Sequence, residues 1–219
     1  MQPNSPENPI SRNVVKLTNE YTDVLWPDTL NVSAENLGAS KWKGMLDGMN
    51  SDGKERGLDI YFNLLTKKFS SGDIYVGDKT SINLHQDAFK PSVLIKSPIR
   101  RRVVNVHSHP LGEGREHIKT VLPSGNDIRT FLKNADLSAI VIIGKGGAHL
   151  VLRHYQNTSG KLPEPDFIQK KIDEVANNGG LSTDVQKQLN GMLSPYGLSY
   201  FHAENIEPSD DGLIRFRKL

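Results

Sequence analysis

Apolar residues recur along this chain with two periods, and each switch of period marks a change of element. Leu58, Ile60, Phe62 and Leu64 fall at every second position, which predicts a strand with one buried face. Just upstream, Trp42, Met45, Leu46 and Met49 fall at helical intervals and predict an amphipathic helix. The run Val103-Val104-Asn105-Val106 predicts another strand, which leads into His107-Ser108-His109 and stops at Pro110, a residue with no N–H for a ladder. Pro123 and Ser124 then open a helix over 124–134. Ser124 and Asp127 have N-cap spacing, and Ile128, Phe131, Leu132 and Ala135 share one face. Residues 139–143 and 148–155 read as strands joined by a turn at Gly144-Lys145-Gly146-Gly147, which lacks the spacing of a phosphate loop and has no helix after it. Shorter strands are expected at 73–77 and 93–95.

Residues 157–165 are polar and rich in Pro, Gly and Ser, and the pattern changes after them. Phe167, Ile168, Ile172 and Val175 line one predicted helix, and Val185, Leu189, Met192 and Leu193 line another. Asn177-Asn178-Gly179-Gly180 separates the two. Residues 198–203 and 213–216 then alternate as two closing strands, whose expected role is to cover one edge or face of the sheet. The fold class expected is α/β (α+β), a mixed central β-sheet flanked by helices with a C-terminal helix-helix-hairpin extension. The expected organisation is a partly disordered arm over 1–30, a domain over 31–156 and accessory helices and strands over 157–219.

Composition narrows the function classes. The chain has 219 residues, 36% of them hydrophobic and 24% charged, which describes a globular protein. A chain of this size can bury about 70% of its unfolded surface. It contains no apolar run of the roughly 18 residues that a membrane span needs. Met1 to Pro9 has neither a basic start nor an apolar centre, so it does not read as a secretory signal; a cytoplasmic location is expected, with export by an effector-type route left open. With no cysteine there are no disulfides, no thiol nucleophile and no thiolate metal site. A net charge of +2 gives no argument for nucleic acid. Arg100-Arg101-Arg102 reads as a solvated strand start, the alternative being a contact for an acidic partner.

Chemistry enters with His107 and His109. At i and i+2 on a strand they project from one side, so two imidazoles aim at one place. Asp127, at the start of the next helix, offers a carboxylate. Two neutral imidazoles and one carboxylate are a donor set typical of catalytic zinc, with a fourth position left for water. The other histidines, His85, His149, His154 and His202, are unpaired by spacing and read as bystanders.

His-x-His-Pro, a loop, then Ser-x-x-Asp resembles the JAMM (MPN-plus) family of zinc-dependent isopeptidases and peptidases, and prokaryotic or phage-type members most closely. The resemblance covers residues 40–155. It implies a JAMM/cytidine-deaminase-like architecture and Zn2+ held by His107, His109 and Asp127. It also implies a bound water, a glutamate on an earlier strand as general base and Ser124 helping to stabilise an oxyanion. Glu55 is the candidate base, with Asp59 on the same strand face as runner-up. A protein or peptide substrate is implied, with a ubiquitin-like modifier among the options. A silent binding or scaffolding module and a hydrolase of cell-wall peptides are the alternatives. The chain departs from the family in two ways. Ser124 lies 15 residues after His109, an interval longer than usual, and the added loop carries His117, an optional further ligand. Gly57 follows Glu55 at two residues, where the family has its glycine at three.

Overall fold

The computed structural model describes residues 27–77, 99–109, 122–134, 136–144, 146–153, 164–179 and 183–218. The elements run β1 (Thr29–Ser33), α1 (Trp42–Asp52), β2 (Arg56–Asn63), β3 (Lys68–Ser71), β4 (Tyr75–Val76), β5 (Arg100–Ser108) and α2 (Gly125–Lys133). They continue with β6 (Ala139–Gly144), β7 (Gly147–Arg153), α3 (Pro165–Gly179), α4 (Thr183–Leu193), β8 (Leu198–Ala203) and β9 (Leu213–Arg217). The described residues form a mixed α+β fold, a curled central sheet with four α-helices.

One sheet collects all nine strands in the order β1-β9-β8-β7-β6-β5-β2-β3, with β4 paired to β2. Among the described residues only β5 and β6 pair in parallel, and α2 lies in the crossover between them. The ends of β5 and β6 therefore meet at one rim, which His109 reaches when its N–H donates to Ile143 O at 3.3 Å. A bulge in β5 decides which of its side chains share a face. Ile60 pairs with Val104 and Tyr61 with Arg102, so Val103 is an extra residue and both valines are buried in the same core. Beyond the bulge, Val104 and Val106 keep facing that core, while Asn105 and His107 face the other way.

Two apolar cores lie on the two faces. On one, Trp42 and Met45 of α1 pack on Leu58, Ile60, Phe62, Val106, Val141, Leu150, Phe201 and Phe216. On the other, Ile128 and Phe131 of α2, Ile168 and Ile172 of α3, and Leu189 and Leu193 of α4 cover Ile140, Ile142, Val151 and Tyr200. Fully buried side chains of this size contribute about 1.5–3 kcal/mol each.

Differences from the sequence pattern are local. β1 begins at Thr29, inside the expected arm, and the exposed edge strand β3 has no apolar alternation to announce it. Helix α3 runs on through Asn177 and Asn178 to Gly179. Phe167 is 52% exposed instead of lining α3, because the buried stripe is set by Ile168 and Ile172 four residues apart and position 167 falls to one side of it. β8 and β9 form no extended hairpin: they share the single pair His202 and Arg217, while β9 pairs along its length with β1. The strand expected at 93–95, most of the arm, and the side chains of Val175 and Val185 lie outside the described residues. Among the described residues no helix is long and apolar enough to cross a membrane.

Candidate metal centre

The approach to the site is fixed by a turn and a clamp. Gly53, at φ 69, ends α1, and the chain enters β2 after Lys54 and Glu55. The Arg56 guanidinium grips Asp52 at 2.5 and 2.8 Å, and these bonds hold the Asp52 carboxyl well below its ordinary range. Arg56 N–H donates to Ser108 Oγ at 2.9 Å, pinning the start of β2 to the end of β5. Gly57 pairs with His107 across the ladder. Continuing that register places half-buried Glu55 abreast of His109.

Helix α2 brings the third group. Ser124, with φ −74 and ψ 162, caps it through a capping box: its Oγ accepts from Asp127 N–H at 3.1 Å, and Asp127 Oδ2 accepts from Ser124 N–H at 2.7 Å. The reciprocal bonds lock the Asp127 side chain against the helix start, aimed at the rim of β5. Asp127 Oδ1 lies 3.4 Å from His107 Nε2, and Oδ2 lies 3.1 Å from His109 Nε2. Three candidate ligand atoms, one from each residue, fall within 4.8 Å of one another. Tetrahedral ligands with bonds of about 2.0–2.2 Å would stand about 3.3–3.6 Å apart, so the cluster is already close to the spacing a zinc ion needs. His107 Nε2 is buried and, among the described residues, has no hydrogen-bond partner, which fits a group waiting for a metal. Burial pushes the Asp127 carboxyl up, but the positive charge that His107 and His109 carry when protonated, and their hydrogen bonds, outweigh it and hold the group well below its usual range.

Behind His107 runs a chain of bonds that the sequence does not announce. Asn105 Nδ2 donates to Asp59 Oδ1 at 2.9 Å and to the Tyr75 hydroxyl at 2.7 Å, and Asn105 Oδ1 stands 3.0 Å from His107 Nδ1. A carboxylate oxygen only accepts, so Asp59 fixes which way the amide points and leaves its oxygen toward His107. That oxygen also only accepts, so Nδ1 of His107 carries a proton, and in the neutral ring the lone pair on Nε2 is left to face Asp127. Arg102, kept on this face by the bulge, stands 3.6 Å from Asp59 Oδ2. Burial pushes the Tyr75 hydroxyl far up, so it stays protonated. Its ring lies over Gly57, where any Cβ would come within 2.5 Å of it. Asp59 is thus 4% exposed and engaged with Asn105, one layer behind the cluster.

Two supposed bystanders lie on the same face. His149 is fully buried with Nδ1 2.6 Å from the Tyr200 hydroxyl, and its ring stacks on His202 at 4.8 Å between centroids. Burial first, then His202 and His109, push the His149 imidazole well below its usual range, which keeps it neutral. His202 Nε2 donates to Gly146 O at 2.9 Å. His85, His117 and His154, with the whole 110–121 loop, lie outside the described residues. Only the cross-strand register reveals that His149 and His202 share a row with His107; no spacing in the sequence does.

The chain matches no known protein family, no characterised protein and no solved structure with which it was compared. Its chemistry therefore rests on the side chains themselves.

Proposed function

We propose that this chain is a zinc-dependent hydrolase of JAMM type that cleaves a peptide or isopeptide bond. The observation that carries the proposal is the convergence of His107 Nε2, His109 Nε2 and the Asp127 carboxylate, with the buried His107 Nε2 making no hydrogen bond among the described residues. Two nitrogens and one oxygen, with no thiolate anywhere in the chain, suit zinc in an open catalytic site. The mixed sheet, with the histidine strand beside the β2 strand that Glu55 precedes, is consistent with a JAMM-like architecture.

Zinc bound there would lower the pKa of a water to about 7 and polarise the carbonyl to be attacked. Glu55 would take the proton of the attacking water as the water oxygen bonds to the carbonyl carbon, and would hand that proton to the departing nitrogen as the C–N bond breaks. Ser124 uses a lone pair for the helix cap, and its O–H hydrogen is still able to point at the tetrahedral oxygen. Asn105 holds His107 in the ligating tautomer throughout.

The test is metal content followed by turnover. Purified protein should hold close to one zinc per chain, and His109→Ala or Asp127→Ala should hold almost none while circular dichroism stays unchanged. Glu55→Gln should keep its zinc and lose roughly 100-fold or more in kcat on peptide or isopeptide-linked substrates. Full zinc in both ligand variants would remove the metal centre. A wild type that holds zinc but hydrolyses no peptide, isopeptide or cell-wall peptide would leave a binding module in its place.

A further inference from the structure

We propose that Gln169, on helix α3, is a positioning residue of the metal centre: its side-chain oxygen holds the first turn of α2 and so sets where the Asp127 carboxylate stands against His107 and His109. The inference rests on the metal-centre reading and deepens it, by giving the region after β7 a part in the site.

Asp127 reaches the histidines from a helix, so two sets of bonds decide its place. The capping box joins Ser124 to Asp127 within one turn, which fixes the carboxylate relative to its own helix. It does not fix that helix relative to the strand carrying the histidines. The far end of α2 is tied to the sheet, where the Arg153 guanidinium donates to the Phe131 carbonyl and Arg102 donates to Asn134 Oδ1 at 3.4 Å. The start of α2 is tied to α3: Gln169 Oε1 accepts from Gly125 N–H at 2.8 Å, across 44 residues of chain. Among the described residues this is the only hydrogen bond that another element makes to residues 124–127, apart from the contacts of Asp127 with the two histidines.

Gln169 is itself held. Its Nε2 donates to Asp173 Oδ1 at 3.2 Å, one turn along α3. A carboxylate only accepts, so the amide nitrogen stays with Asp173 and the amide oxygen is left to face Gly125. Ile128 and Phe131 of α2 pack with Ile168 and Ile172 of α3 in one core, and that packing brings the helices together without direction. The ion pair of Arg129 with Glu164, at 3.8 Å, is open to water at its carboxylate and contributes little. The bond to Gly125 is the directed contact at the end where the ligand sits.

Small displacements matter there. The Asp127 oxygens stand 3.4 Å from His107 Nε2 and 3.1 Å from His109 Nε2, and a ligand set has to be held within about 0.5 Å of its working geometry. Gly125 is buried, so without Gln169 its N–H has neither a protein acceptor nor ready water, and the first turn gains by shifting toward solvent.

Gln169→Met is the test variant, because it keeps the length and helix propensity of the side chain and removes the acceptor. Zinc affinity per folded chain, measured by competition with a chromophoric chelator, should fall about tenfold. In the metal-free protein the Gly125 amide should exchange with deuterium about tenfold faster than in wild type, read by NMR. Gln169→Glu combined with Asp173→Asn reverses the donor and acceptor of the pair and still leaves an oxygen for Gly125, so both readings should return near wild type. Ile172→Val loosens the same helix contact without touching the bond; it should lower the urea midpoint and leave zinc affinity unchanged. Wild-type zinc affinity in Gln169→Met, no recovery in the double variant, or an equal loss in Ile172→Val would each overturn the assignment while the metal centre stands. A wild type that holds no zinc would remove the metal centre. Exchange at Gly125 then decides the hold on α2 alone: faster exchange in Gln169→Met with recovery in the double variant keeps it, and unchanged exchange overturns it.

Discussion

The two faces of this sheet are built to different rules. On the face under α1, the buried strand side chains are almost all aliphatic or aromatic, with small hydroxyls at Ser108 and Ser199. Among the described residues, the face under α2, α3 and α4 carries the buried carboxylate, imidazole and guanidinium groups of the strands, Asp59, His107, His149, Arg153 and His202, with His109 just past the end of β5. Each such group costs several kcal/mol to bury unless it is bonded, so a fold stabilised only by burial would have no use for them. Their bonds are correspondingly specific: Asp59 to Asn105, His149 to Tyr200, and Arg153 to the Phe131 carbonyl at the end of α2. Both faces bury an apolar core, and the second uses part of the stability gained to hold polar groups in fixed orientations.

The sharpest way to break this comparison is to damage the apolar face and look for an effect on the other. Phe62 is 1% exposed in the core under α1. Phe62→Ala should cost about 3–5 kcal/mol in urea denaturation, from lost burial and the cavity left behind. Zinc content per folded chain should not change. A parallel loss of metal affinity would show that the two faces are coupled, and that the division of labour does not hold.

A smaller effect is expected behind the ligands. Asn105→Ala removes the acceptor for His107 Nδ1 and the donor to Asp59 in one step. Zinc affinity, measured by competition with a chromophoric chelator, should fall about 10- to 100-fold. Tyr75→Phe removes only one of the two acceptors of the Asn105 amide and should change it much less. Equal affinities for Asn105→Ala and wild type would mean that His107 needs no orienting partner.

How far the sequence exposed this architecture varies with the range of the interaction. β2, β5, β6, β7 and the capped start of α2 were legible because their signals are local: a period of two, a proline stop, and Ser124 three residues from Asp127. The same local signals named His107, His109 and Asp127, which the fold brings together. Asn105 was visible only as a polar interruption in a valine run, because its partners Asp59 and Tyr75 lie 46 and 30 residues away. The row from His107 to Arg217 depends on register across five strands, and no spacing in the chain encodes it. The opening between β8 and β9 was hidden for the same reason, since two adjacent alternating segments read as a hairpin unless a third strand, here β1, takes one of them. Phe167 shows the opposite limit, a hydrophobic residue assigned to a core that the helix phase turns outward.

The polar face should also make stability depend on pH in a way the apolar face cannot. His149 has its folded pKa pushed well below the ordinary value of about 6.5 by burial and its neighbours. As pH falls below that ordinary value, the unfolded chain takes up a proton and the folded chain does not. Stability is therefore fully present above about pH 6.5 and falls by about 1.4 kcal/mol per pH unit below it, until the folded pKa is reached. His149→Phe should remove this part of the slope, read as the difference between wild type and variant in urea denaturation at pH 7.5 and about one unit below the ordinary value. Identical slopes would mean that His149 is protonated in the folded chain.

The smallest effect separates two uses of one side chain. Ser124 caps α2 on the polar face, and under the proposed chemistry its O–H also faces the oxyanion. Ser124→Ala should lose about 1 kcal/mol of stability, whereas Ser124→Gly, which leaves the N-terminus of α2 open to water, should lose only a few tenths. Both substitutions remove the hydroxyl. If the hydroxyl is an oxyanion donor, the two variants should differ in denaturation midpoint yet fall together in kcat, with KM and zinc content near wild type. If Ser124 is only a cap, kcat should follow stability, with the glycine variant close to wild type and the alanine variant below it.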